Sequence, residues 1–164
     1  MPKDIRIHKI FYVPKTFHPS IDVLKKEYHY LVQIDKIQPP FNRFYSWHYP
    51  FQLDIEAMQE GAKLLIGKKD FIAFQNNKHP ANTTVGEIGE ILIKKDDFIH
   101  FTLIGNSFLY KMVRNIVGKL VYIGQGKLKL SMLESIIASG LRKNAGICAP
   151  AHGLTLKRVF YDFT

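Results

Sequence analysis

The sequence predicts an α+β fold: an antiparallel sheet carrying helices on one face. Three observations predict it. Strand-like alternation opens and closes the chain, two alternating runs flank a short polar turn in the middle, and helix-period segments lie between them. No internal repeat, low-complexity tract or Ser/Gly linker divides the chain, so residues 1–164 read as one domain.

The elements follow in order. Residues 5–12 alternate through Ile5, Ile7, Ile10 and Tyr12 and read as a strand closed by Pro14. Residues 28–34 alternate more cleanly: Tyr28, Tyr30, Val32 and Ile34 share one face, His29, Leu31 and Gln33 the other. Pro39 and Pro40 mark a turn, and residues 41–49 are an aromatic segment without a decisive period. Asp54 can cap a helix running to Leu65, with Met58, Gly61, Ala62 and Leu65 on one face and Gly67 as its stop. Residues 88–93 and 98–104 read as a hairpin about the polar turn 94–97. Residues 108–123 form the strongest helix, ended by Gly124 and Gly126. A short helix over 130–138 and a last strand over 153–161 complete the order.

A chain of 164 residues can bury roughly 70% of its unfolded surface and needs neither disulfide nor metal to hold a core. One cysteine, Cys148, excludes an internal disulfide framework and fits a reducing compartment. No apolar run reaches membrane-spanning length, and the first residues carry no secretory pattern, so a cytoplasmic protein is expected. The seven histidines show no H-x-x-x-H pairing, and with one cysteine no zinc constellation is expected. No nucleophile elbow or P-loop spacing appears.

Charge says more. The net is +9, and it is uneven: +4 over residues 1–50, −2 over 51–100 and +7 over 101–164. No acidic residue falls between Asp97 and Glu134, whereas Lys111, Arg114, Lys119, Lys127 and Lys129 do. Such one-sided basicity with 13% aromatics suits a polyanion, nucleic acid first. On a wheel of the 108–123 helix, Leu109, Val113, Ile116, Leu120 and Ile123 face the core. Lys111, Arg114 and Gly118 lie opposite, a surface an RNA backbone could approach; the plainer reading is a solvated face. Tyr28 and Tyr30 could stack bases or simply fill the core. Composition and spacing alone name no reaction.

Several segments read together do. Asn106-Ser107-Phe108-Leu109-Tyr110-Lys111-Met112-Val113-Arg114-Asn115-Ile116-Val117-Gly118 resembles the F-L-x-x-M-V-R-x-I-V-G stretch of the TruA family of tRNA pseudouridine synthases. Arg142-Lys143-Asn144-Ala145-Gly146, then Ala149-Pro150-Ala151-His152-Gly153-Leu154-Thr155-Leu156, is similar to that family's R-x-x-A-G and A-P-x-x-G-L-x-L run. Pro2-Lys3-Asp4-Ile5, Phe17-His18, Lys26-Glu27-Tyr28-His29-Tyr30 and Gly67-Lys68-Lys69-Asp70-Phe71 fall in the family's order, so the resemblance spans essentially the whole chain.

The resemblance implies an isomerase that converts uridine to pseudouridine in the tRNA anticodon stem-loop, without cofactor or metal, as a homodimer. It gives Tyr28 the role of stacking on the target base, Arg114 that of pairing the catalytic aspartate, and Leu154 that of packing beneath the uridine. Lys26, Lys111, Lys119 and Arg142 become the RNA-binding candidates. These roles make physical sense, because a flipped base needs a stacking face and a carboxylate in a dry cleft needs a cation to stay ionised.

There are departures. The family's aspartate lies in an R-T-D-x-G-V-H segment, and none of the eight aspartates here has that context. The family's F-H-A-R reads Phe17-His18-Pro19-Ser20, and Gly86 stands where an arginine is common. The expectation is therefore the C-terminal part of such a synthase, without the half bearing the aspartate and inactive alone. A non-catalytic RNA-binding or dimerisation domain derived from such an enzyme is the alternative. If Arg114 waits for an absent carboxylate it is an unpaired buried cation, and Arg114→Ala would stabilise the isolated chain.

Overall fold

A computed structural model describes residues 2–76, 83–141 and 147–163. The elements run β1 (Val23–Gln33), β2 (Trp47–His48), α1 (Ile55–Lys63), β3 (Gly67–Asp70), β4 (Val85–Lys95), β5 (Ile99–Gly105), α2 (Met112–Gly124), α3 (Leu130–Ser139) and β6 (Leu154–Tyr161). They make the α+β fold the sequence predicts. The sheet order is β2-β1-β5-β4-β3, with β6 also on β1. β6 pairs with β1 over Val23 to Tyr30, and β2 takes over at Val32 and Gln33. The short β1–β2 pairing is parallel, so the sheet is mixed rather than wholly antiparallel.

Period 2 places the core on one face. Ile99, Phe101 and Leu103 of β5 are buried beside Ile91 and Ile93 of β4 and Tyr30 and Val32 of β1. The alternate residues His100, Thr102 and Ile104 are only half-buried, and Leu92 and Lys94 are exposed. α1 starts as the sequence requires: Asp54 accepts the Ala57 N–H at 3.0 Å, satisfying one of the unpaired donors of the first turn. Met58 and Ala62 then face inward. Gly67 does end this helical region, and with φ +97° it also opens β3, a strand the sequence reading missed.

Two expectations fail. Residues 5–12 form no strand and are exposed throughout. Alternation makes a segment able to pair, but a strand exists only where the backbone joins a partner's ladder, and residues 5–12 join none although, among the described residues, β6 and β3 each pair on one side only. The second failure concerns α2, which begins at Met112, not at residue 108. Lys111 sits just before it in the left-handed region, φ 62°, and a left-handed residue breaks the helical ladder there.

Candidate functional site

β1 presents Tyr28 and Tyr30 on the same face, and the two tyrosines divide the roles the sequence left open. Tyr30 is fully buried; its hydroxyl donates to the Pro150 carbonyl at 2.7 Å. Its ring lies so near Gly153 that a Cβ there would come within 2.7 Å of it, which is why the strap leading into β6 needs glycine at this point. Tyr28 is half-buried and stands edge-on to Phe108, ring centroids 5.1 Å apart. Burial raises the Tyr28 phenol above its ordinary pKa. Tyr30 is raised more, by desolvation, although the positive charge of Arg114 opposes the shift.

Arg114 comes from the first turn of α2 and is bound to the same strap. Its Nε donates to the Ala149 carbonyl at 2.6 Å, and the Ala149 N–H donates back to the Arg114 carbonyl at 3.1 Å. One turn further along, a Cβ on Gly118 would drive into the Ile147 carbonyl. Ile147 and Ala149 therefore lie against α2, and Pro150 and Gly153 against Tyr30 of β1, before the chain enters β6. The first residue of β6, half-buried Leu154, pairs with Tyr30, and Leu156 pairs with Tyr28. The strap thus links Arg114 of α2, through Ala149 and Pro150, to Tyr30 of β1, with Tyr28 two residues before Tyr30 on the same face and Leu154 opposite Tyr30. Among the described residues no carboxylate forms an ion pair with Arg114. With Nε committed to Ala149, the terminal guanidinium nitrogens are the atoms suited to an anion.

The other basic candidates fare differently. Lys26 is half-buried on β1, two residues before Tyr28 and on its face. Lys111 is half-buried, with Nζ 5.3 Å from the centre of the Tyr110 ring. Lys119 is a correction: it is 1% exposed, with its ammonium 4.5 Å from the centre of the Phe74 ring, and cannot meet a phosphate from there. The solvated stripe of Lys111, Arg114 and Gly118 is corrected with it. Lys111 precedes the helix, Gly118 is covered by residue 147, and α2 is buried almost all round. Arg142 lies outside the described residues.

Sequence reasoning left Tyr30 between stacking and core filling, put Gly118 on an RNA-facing stripe and quoted Ala149 and Gly153 only within a family run; that these four hold the site together it did not show. The signals were the second tyrosine of the β1 alternation and the glycine before Leu154, but nothing in the sequence said that they touch. A cavity of about 430 Å³ lies elsewhere, bounded by Lys25, Glu87, Glu90, Ile104 and Asn106 among others. It contains none of the site residues, and two glutamates against one lysine do not suit a polyanion. No helix among the described residues is long and apolar enough to cross a membrane.

The sequence model of a family described as tRNA pseudouridine synthase matches residues 62–162. The tRNA pseudouridine synthase A 2 of Protochlamydia amoebophila (strain UWE25) is 44% identical over 171 residues, covering 98% of this chain and 63% of that protein. The tRNA pseudouridine synthase A 1 of Bacillus cereus is 41% identical over 163 residues, 99% of this chain and 66% of its own length. The tRNA pseudouridine synthase A of Thermotoga neapolitana is 38% identical over 163 residues, 98% and 66%. The chain spans slightly under two thirds of the length of these relatives.

Proposed function

The chain belongs to the tRNA pseudouridine synthase family, and from that premise we propose that it forms one wall of a site that isomerises uridine in tRNA. The observation that carries this reading is that the strap at residues 147–153 is tied to Arg114 and to Tyr30, the β1 neighbour of Tyr28 on the same face, and runs directly into Leu154. Isomerisation breaks the bond from uracil N1 to ribose C1′ and joins C5 to C1′; the proton on C5 is lost to a base and N1 takes one up, so the base ends with N1–H in place of C5–H. Atoms and electrons balance without an external oxidant or reductant, so the work falls to side chains. The Tyr28 ring offers a flipped base its face, and Leu154 supplies apolar packing beneath it. The Arg114 guanidinium, fixed through Nε, holds a carboxylate ionised beside the sugar. Lys26 and Lys111 bear on the RNA backbone. The same reading takes residues 1–164 as the C-terminal portion of a cytoplasmic homodimer and takes the reacting carboxylate from the R-T-D-x-G-V-H segment of the family.

The test is reconstitution. The 164-residue chain is incubated with unmodified tRNA, alone and with the R-T-D-x-G-V-H-bearing segment of a relative, and pseudouridine is mapped chemically. The expected outcome is tRNA binding without conversion for the chain alone and conversion when the segment is added. Arg114→Lys and Tyr28→Ala should then remove conversion while leaving the fold intact. Conversion by the chain alone would overturn the assignment of the carboxylate. Binding that never becomes conversion would favour a non-catalytic RNA-binding domain.

A further inference from the structure

Beyond this site, residues 38–46 form an outward knuckle with three large aromatics in solvent: Phe41 is 88% exposed, Phe44 63% and Tyr45 71%. Its backbone is held from within. The Asn42 N–H donates to Pro39, and the Tyr45 and Ser46 N–H groups both donate to Asn42, each at 3.0 Å. Ser46 Oγ adds a bond to the Asn42 carbonyl, and Gln38 Nε2 reaches the Ser46 carbonyl at 3.3 Å. Ser46 and Gln33 beneath are 1% and 3% exposed, so the knuckle stands on a buried polar footing. The Arg43 guanidinium lies 4.5 Å from the Phe44 ring centre. No acidic residue occurs between Asp35 and Asp54, while Lys36 and Arg43 do.

We propose that this knuckle is a stacking platform for unpaired nucleotides of an RNA, separate from the uridine site. Aromatic rings on a stiff backbone have only two side-chain torsions to fix when a base stacks on them, and every base has a face to offer. Arg43 on the knuckle favours a polyanion over an apolar protein surface, and the acid that precedes it, Asp35, has its carboxylate engaged by Gln33 Nε2 at 2.9 Å. The natural ligand being tRNA rests on the function proposed above; the stacking itself does not.

The experiment uses the 164-residue chain with a short single-stranded oligouridylate carrying one 2-aminopurine, whose fluorescence falls on stacking, and with tRNA in parallel. Quenching is expected with the unaltered chain, and Phe41→Ala or Tyr45→Ala should weaken oligonucleotide binding about tenfold, within the range of a lost base–aromatic stack. Arg43→Gln should weaken it and make its salt dependence shallower by about one unit. Leu92→Ala, on the far hairpin, should leave it unchanged. Equal affinities in the knuckle variants overturn the platform alone. A dimer that becomes monomer on Phe41→Ala, by sedimentation, also overturns it, because a second copy then covers the rings. Knuckle-dependent oligonucleotide binding with no tRNA binding keeps the platform and sinks the tRNA reading; no RNA binding overturns both.

Discussion

The β4–β5 hairpin and the Tyr28–Arg114–Leu154 region, drawn from β1, α2 and β6, are built in opposite ways. The hairpin is local, and its inward side chains are finished: Ile99, Phe101 and Leu103 are 0% exposed. The other region is gathered from afar. Its two defining hydrogen bonds join Arg114 to Ala149 and Tyr30 to Pro150, and Tyr28, Arg114 and Leu154 all stay half-buried. The contrast teaches where the fold keeps its stability and where it keeps side chains available. A group that must meet substrate cannot also be completely packed.

The largest expected effects sharpen that contrast. Phe101→Ala removes a fully buried ring and should cost about 4 kcal/mol in urea unfolding, whichever region is probed. Gly118→Ala should cost about 2–3 kcal/mol by a different route, since the added Cβ strikes the Ile147 carbonyl and pushes the strap off α2. The distinguishing measurement is tRNA affinity on the folded variants. It should fall for Gly118→Ala beyond its fall for Phe101→Ala; the reverse order would break the division of labour.

Arg114 gives a smaller and more discriminating effect. The sequence reading made its removal stabilising if it waited as an unpaired cation for a carboxylate, but the structure gives Nε a carbonyl partner. Arg114→Ala should instead destabilise by about 1 kcal/mol, because the Ala149 carbonyl loses a charge-assisted donor. Arg114→Lys cannot reproduce the Nε geometry and should recover little. Urea melts of both variants decide it, and stabilisation by the alanine would restore the unpaired-cation picture.

The two regions were also unequally legible. The hairpin, α1 with its Asp54 cap, α3 and β6 announce themselves because their signals are local: period, cap and turn residues lie within one element. Local signals also misled. The Ile5 to Tyr12 alternation looks like a strand, yet a strand forms only by joining a partner's ladder, which alternation does not specify. Lys119 looked like a phosphate contact because it falls in a basic stretch without acids, and a charge count does not show the elements packed around a helix. α2 is covered on nearly every side, so its lysine folds inward onto Phe74. The site residues themselves came from family motifs. Their support by Tyr30 and residues 147–153 is a tertiary fact with no sequence period.

The smallest expected effects are those of pH, and they separate the regions by sign. Tyr30 has its pKa raised by burial, so the stability it contributes is full below the ordinary tyrosine value of 10.0 and is lost as pH rises through the folded value. Alkali should therefore loosen the strap first. Asp96, in the hairpin turn, has its pKa lowered, chiefly because the Phe98 N–H donates to its carboxylate at 2.9 Å, with His100 also beside it. Its contribution is present above the ordinary value of 3.8 and lost as pH falls through the folded value, so acid should loosen the turn first. Asp96 is solvent-exposed, which keeps its effect local and slight. Amide exchange, corrected for its intrinsic pH dependence, reads both at once. Phe98 should lose protection below about pH 4 and Ala149 above about pH 10, as the two linkages require. Asp96→Asn should flatten only the acid response and Tyr30→Phe only the alkaline one. A common pH response at the two amides would mean that hairpin and strap open as one unit, and the distinction between a finished region and an available one would fail.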